Sequence, residues 1–219
     1  MIRTVCFDMD GLLLDTERIG CEVTCTLAVE AGCTLTELQR SQLMGTTLRR
    51  ARELREAWFP GFESQYIRAN WYDRVLERIH RDGLVFKPYA KEILPCLRKR
   101  GLKLVLTSSN ARQMVETYLH LAGWEDAFDL VLTGHDVEKG KPDPEIYLLA
   151  AEKLGLSPAE CAGVEDSYGG VQAVRAAGML SIMIPDLRPY CEELAPYVDQ
   201  VLEDLTQLDA CIADFDTAQ

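Results

Sequence analysis

Four short polar clusters hold the residue types of phosphoryl chemistry, and each stands at or just beyond the end of an apolar run. The first is Asp8-Met9-Asp10-Gly11, after residues 2–7. In an extended chain residues two apart point to the same side, so Asp10 follows Asp8, and Gly11 lets the backbone turn sharply. Two carboxylates this close repel each other unless a cation or a proton intervenes. The second cluster, Leu106-Thr107-Ser108-Ser109-Asn110, offers hydroxyls and backbone N–H groups suited to a phosphate oxygen. Asn110 with Gln113 also reads as an ordinary helix cap. The third, Gly140-Lys141-Pro142-Asp143-Pro144, puts a lysine on a loop stiffened by two prolines, with Pro144 suited to the first turn of a helix. That ammonium either cancels phosphate charge or is solvated beside a turn. The fourth, Gly163-Val164-Glu165-Asp166-Ser167, pairs two acids that would cap a helix or ligate Mg²⁺ through oxygen. Each cluster alone has a purely structural explanation. Together they supply the parts that metal-assisted phosphoryl transfer requires.

The elements that must position these clusters are legible from patterning. Residues 2–7, 102–106, 130–132, 161–164 and 180–184 read as buried strands, and residues 88–100, 111–122, 144–154 and 169–177 as helices between them. Gly101, Gly123, Gly155 and Gly178 follow those helices, where a terminal glycine takes the left-handed conformation. Strand–helix alternation with right-handed crossovers predicts an α/β fold, a Rossmann-like parallel sheet with helices on both faces. Ligands of such sheets bind outside the carboxyl ends of the strands, where the clusters fall.

Residues 16–81 break the alternation. They carry no strand signal, a helical stripe of Ile67, Trp71, Val75 and Ile79, and a capping box at Thr36-Glu37-Leu38-Gln39. Pro60-Gly61 marks a break, and Asp82-Gly83 closes the segment. The reading is a core of residues 1–14 and 82–219 with a small α-helical domain, residues 15–81, inserted after the first strand.

The net charge of −12 in 219 residues argues against a nucleic-acid partner, which needs a basic face, and against an anionic membrane surface. Residues 186–219 hold nine acids against Arg188 and so carry −8 of it. The insert is neutral, with ten acids and ten bases that are all arginine. No run approaches the ~20 apolar residues of a membrane helix. None of the eight cysteines forms a C-x-x-C pair, so zinc is not expected. A reduced, cytoplasmic protein is the expectation.

The stretch from Asp8 to Thr16, Thr107, Lys141 within Gly140–Pro144, and Glu165-Asp166-Ser167 resemble, in order and spacing, the four motifs of the haloacid dehalogenase-like hydrolases. The insert resembles the small helical cap of the β-phosphoglucomutase-like branch. The resemblance implies a Mg²⁺-dependent phosphatase in which Asp8 is the nucleophile that forms an aspartyl-phosphate. Asp10 would be the general acid and then the base. It implies metal binding by Asp8, the backbone carbonyl of Asp10, Glu165 and Asp166. Thr107 and the N–H of Ser108 would hold the phosphoryl group, and Lys141 would balance its charge. A cap of this kind closes over the site and reads the substrate, and Arg49 is the candidate contact among Arg49, Arg50, Arg52 and Arg55.

Asp10 disfavours halide displacement, because dehalogenases lack an acid two residues after the nucleophile. The absence of a cap lysine disfavours phosphonate hydrolysis. A phosphosugar mutase is the alternative, but mutases of this branch carry a histidine where this chain has Gly20, and an arginine three residues after a glycine, here Leu48 counted from Gly45. A non-enzymatic phospho-acceptor module would place similar residues at strand ends, but needs no helical insert. The expected partner is a small phosphorylated metabolite of the sugar phosphate class; monomer and homodimer both stand.

Overall fold

The run Thr-Val-Cys-Phe forms the first strand, β1 (Thr4–Phe7), and all four residues are buried. Burial on both faces is what a parallel strand under two helical layers requires. The computed structural model describes residues 1–43, 48–61 and 65–217. After β1 come α1 (Thr16–Glu30), α2 (Glu37–Leu43), α3 (Leu48–Trp58), α4 (Gln65–Asp82) and α5 (Ala90–Lys99). Then follow β2 (Lys103–Thr107), α6 (Arg112–Ala122), β3 (Leu130–Leu132), α7 (Glu145–Leu154), β4 (Cys161–Glu165) and α8 (Tyr168–Ala176). The chain ends with β5 (Leu180–Met183), β6 (Gln200–Val201) and α9 (Leu208–Thr217). It divides into two compact units, Met1–Leu14 with Phe86–Gln219, and Asp15–Val85.

In the first unit the strands lie in the order β3-β2-β1-β4-β5-β6, and every neighbouring pair is parallel. Thr4 is in register with Lys103 on one side and with Cys161 on the other. The chain winds outward from β1 in both directions, so the crevice at the carboxyl ends of β1 and β4 is the switch point where such sheets bind ligands. Along β1 alternate residues face opposite sides. Cys6 joins Val105, Cys161, Tyr147, Ala150 and Val174 in one core cluster under α7 and α8. Helix α5 buries Ile93 and Leu97 completely and packs against β2, and α9 packs against α5. Strand β6 is absent from the sequence reading because its two residues are exposed and have no apolar run to reveal them. All eight cysteines are free.

The second unit is helical among its described residues. Helices α1 and α4 pack together, with Val75 and Ile79 buried and Trp71 donating through Nε1 to Thr24 Oγ1 at 3.1 Å. The capping box forms as expected: Gln39 N–H donates to Thr36 Oγ1 at 3.2 Å and Thr36 N–H to Gln39 Oε1 at 2.8 Å. The unit extends to Val85, past the end of α4, because Val85 O accepts from Asp15 N–H at 2.9 Å. Among the described residues, no helix is long and apolar enough to cross a membrane.

Candidate active site

Asp8 is the first residue beyond β1, and its N–H extends the ladder to Val164 O on β4 at 3.0 Å. That bond fixes Asp8 beside the end of β4, where Glu165 and Asp166 stand. Each of the three is buried, and one oxygen from each lies within 4.8 Å of the others. The turn after Asp8 is tight, with Gly11 N–H donating to Leu14 O at 2.7 Å. Gly11 sits at φ +82°, and a Cβ there would collide with the Asp166 carboxylate. Only glycine permits both the left-handed turn and this close approach.

Lys141 reaches the same place from the loop before α7. Its Nζ lies 2.5 Å from Asp8 Oδ1 and 2.5 Å from Glu165 Oε1, and donates to Thr107 O at 3.1 Å. Burial pulls the ammonium down, but Asp8 and Glu165 hold it well above the usual lysine range. Glu165 is 0 % exposed. Burial first, against the pull of Lys141 and aided by the charge of Asp8, pushes its carboxyl up to about 7. Shifts of this kind cluster where sites are built for chemistry.

One ammonium faces both Asp8 and Glu165, and the Asp166 carboxylate stands beside them. A buried excess of negative charge requires protons or a cation. The donors are all carboxylate oxygens, the set that Mg²⁺ takes. The residues therefore fit a hard divalent cation.

Two hydroxyl residues lie at the end of β2, and both are fully buried. Thr107 Oγ1 donates to Phe7 O at 3.1 Å. The Ser108 N–H, expected to face a phosphate, instead donates to Leu132 O at 3.0 Å and continues the β2–β3 ladder. The Ser108 hydroxyl stands 3.5 Å from Asp10 Oδ2. The structure thus brings Asp8, Asp10, Thr107, Ser108, Lys141, Glu165 and Asp166 to one end of the sheet. The side chain of Arg49 lies outside the described residues.

Two residues here escape the sequence reading. Tyr147, fully buried on α7, donates its hydroxyl to Glu165 Oε1, and its ring lies 5.3 Å from Lys141 Nζ. The available signal was a tyrosine inside the buried stripe of Ile146, Ala150 and Ala151, because a buried phenol needs a partner. Asn110, read as a helix cap, leaves that place to Ala111 and donates through Nδ2 to Asp10 Oδ2 at 2.8 Å. A half-buried ion pair joins Lys87 Nζ to Asp186 Oδ1 at 2.6 Å, with Asp186 just beyond β5.

Comparison with known proteins follows the same line. The phosphorylated carbohydrates phosphatase of Thermotoga maritima is 34% identical over 181 residues, covering 81% of this chain and 82% of that protein. Hexitol phosphatase B of Escherichia coli K12 is 30% identical over 224 residues, covering 95% of each. The crystal structure of β-phosphoglucomutase from Clostridium difficile is similar in fold, with a TM-score of 0.80 at 22% identity, over 100% of this chain and 99% of that one. The family model of the haloacid dehalogenase-like hydrolases matches residues 2–178, and the chain belongs to that family.

Proposed function

We propose that the protein is a Mg²⁺-dependent phosphatase that hydrolyses a small sugar phosphate through an aspartyl-phosphate on Asp8. The observation that carries this reading is the meeting of Asp8, Lys141, Glu165 and Asp166 at the adjoining ends of β1 and β4. The names of the two phosphatase relatives support the substrate class.

Asp8 attacks phosphorus while Asp10 gives a proton to the leaving oxygen. Water then attacks phosphorus and releases Asp8 while Asp10 takes the water's proton. Splitting one displacement into two lowers each barrier, and positioned acid–base transfer contributes on the order of 10²–10⁴-fold. Lys141 holds Asp8 in place and offsets its charge and that of the phosphoryl group. The Ser108 and Thr107 hydroxyls border that group. Asp8, the Asp10 carbonyl, Asp166 and Glu165 would hold Mg²⁺. When bound, the ion offsets charge on the phosphoryl oxygens. Arg49 is proposed as a substrate contact, and Arg49→Ala should raise KM more than it lowers kcat.

The test is phosphate release from a panel of hexose and hexitol phosphates with Mg²⁺. Release should fall on the order of a thousandfold or more in Asp8→Asn. Isomerisation that depends on a bisphosphate and proceeds without phosphate release would instead establish the mutase.

A further inference from the structure

Asn110 belongs to none of the roles given above, yet its amide is aimed at Asp10. A carboxylate only accepts hydrogen bonds and an amide nitrogen donates two, so the 2.8 Å contact is Nδ2–H to Oδ2. The backbone of Asn110 is held at both polar groups. Its N–H donates to Ser108 Oγ at 3.1 Å, and its carbonyl accepts from Gly134 N–H at 3.0 Å. Gly134 admits this packing because a Cβ there would stand 2.6 Å from the Ser109 carbonyl oxygen. A pinned backbone leaves the side chain only its own two torsions, so the amide is pre-organised toward Asp10.

We propose that Asn110 is a positioning residue that fixes the orientation of Asp10 for both proton transfers. This rests on the phosphatase reading above. The carbonyl oxygen of a carboxylic acid is the better acceptor, so the amide on Oδ2 favours Oδ1 as the oxygen that carries the transferable proton. In the first step the Asp8–phosphorus bond forms, the bond from phosphorus to the leaving oxygen breaks, and that oxygen takes the Oδ1 proton. In the second step the water–phosphorus bond forms, the Asp8–phosphorus bond breaks, and Oδ1 takes the proton from water. One held orientation serves both directions.

The test compares two substrates of similar shape, phenyl phosphate and p-nitrophenyl phosphate. Phenolate needs a proton to leave, and p-nitrophenolate departs without one. In Asn110→Ala, kcat/KM for phenyl phosphate should fall on the order of 10–100-fold, the range for a misplaced catalytic group. For p-nitrophenyl phosphate the fall should be about ten times smaller, because the acid contributes little there. Asn110→Leu keeps the volume, removes the donor, and should show the same split. Equal losses on both substrates, or a split in one variant alone, would overturn the proposal. If the wild-type protein with Mg²⁺ releases phosphate neither from these two substrates nor from the hexose and hexitol phosphates, the phosphatase reading fails, and this inference with it.

Discussion

Lys141 answers two buried carboxylates with one positive charge, and at the residue scale the site is organised around that imbalance. Lys141→Met would leave Asp8 and Glu165 without it. The expected cost is about 3–5 kcal/mol in urea denaturation, as for other broken buried pairs. Adding Glu165→Gln should recover part of that loss, because the two residues touch and their effects are not additive. Fully additive losses would remove Lys141–Glu165 coupling from the account. Tyr147→Phe takes one donor from a carboxylate that is 0 % exposed, and should cost about 1–3 kcal/mol. Asp8, Lys141, Glu165 and Asp166 were legible because charged residues at the ends of apolar runs are conspicuous. Tyr147 and Asn110 were not, because a phenol in an apolar stripe reads as core and an amide before a helix reads as a cap. Their partners lie 18 and 100 residues away.

At the scale of elements, apolar runs bounded by glycine made the central strands legible, and a period of four made the insert legible. What patterning did not supply was pairing. The Ser108 N–H is used by β3, and only the order of the sheet reveals that. The loop at Gly11 lets β1 end against the Asp166 carboxylate. A Cβ there meets both the left-handed φ, costing about 1–2 kcal/mol, and that carboxylate. With saturating Mg²⁺, the wild-type midpoint should rise in a thermal scan, by about 2.7 kcal/mol of stabilisation at one hundred times Kd. Gly11→Ala and Asp166→Asn should lose most of that gain, and an undiminished gain in Asp166→Asn would place the ion elsewhere. Tyr89, before α5, is at φ +65° and 38% exposed. A tyrosine held there carries a cost that glycine lacks, so Tyr89→Gly should stabilise the fold by about 1 kcal/mol.

At the scale of the whole molecule, stability depends on pH through acids that are held by local donors. Asp129 takes the Leu104 N–H at 2.9 Å and Lys103 Nζ at 2.8 Å. Burial raises its carboxyl, but these donors and Arg98 outweigh it and hold the group below the ordinary aspartate value. Because the folded value is the lower one, Asp129 stabilises the fold above the ordinary value, and the contribution fades as pH falls through the folded value. Asp129→Asn should therefore cost about 1 kcal/mol near neutrality. The variant and the wild-type protein should converge in urea denaturation at strongly acidic pH.

The sheet is also discontinuous in sequence. The chain leaves the first unit at Leu14 and returns at Phe86, where those two residues form a bridge and Lys87 N–H donates to Leu13 O at 3.0 Å. During synthesis β1 emerges first, while its partners β2 and β4 emerge well after the whole helical unit. That unit is one continuous segment, and units of this kind fold as they appear. Once formed, it joins its own ends through Asp15 and Val85, so the loop that β1 must close to meet β2 is shortened in advance. Loop closure is the entropic cost that delays distant strand pairing. The helical insert would thus act as a splint for assembly of the sheet that it interrupts.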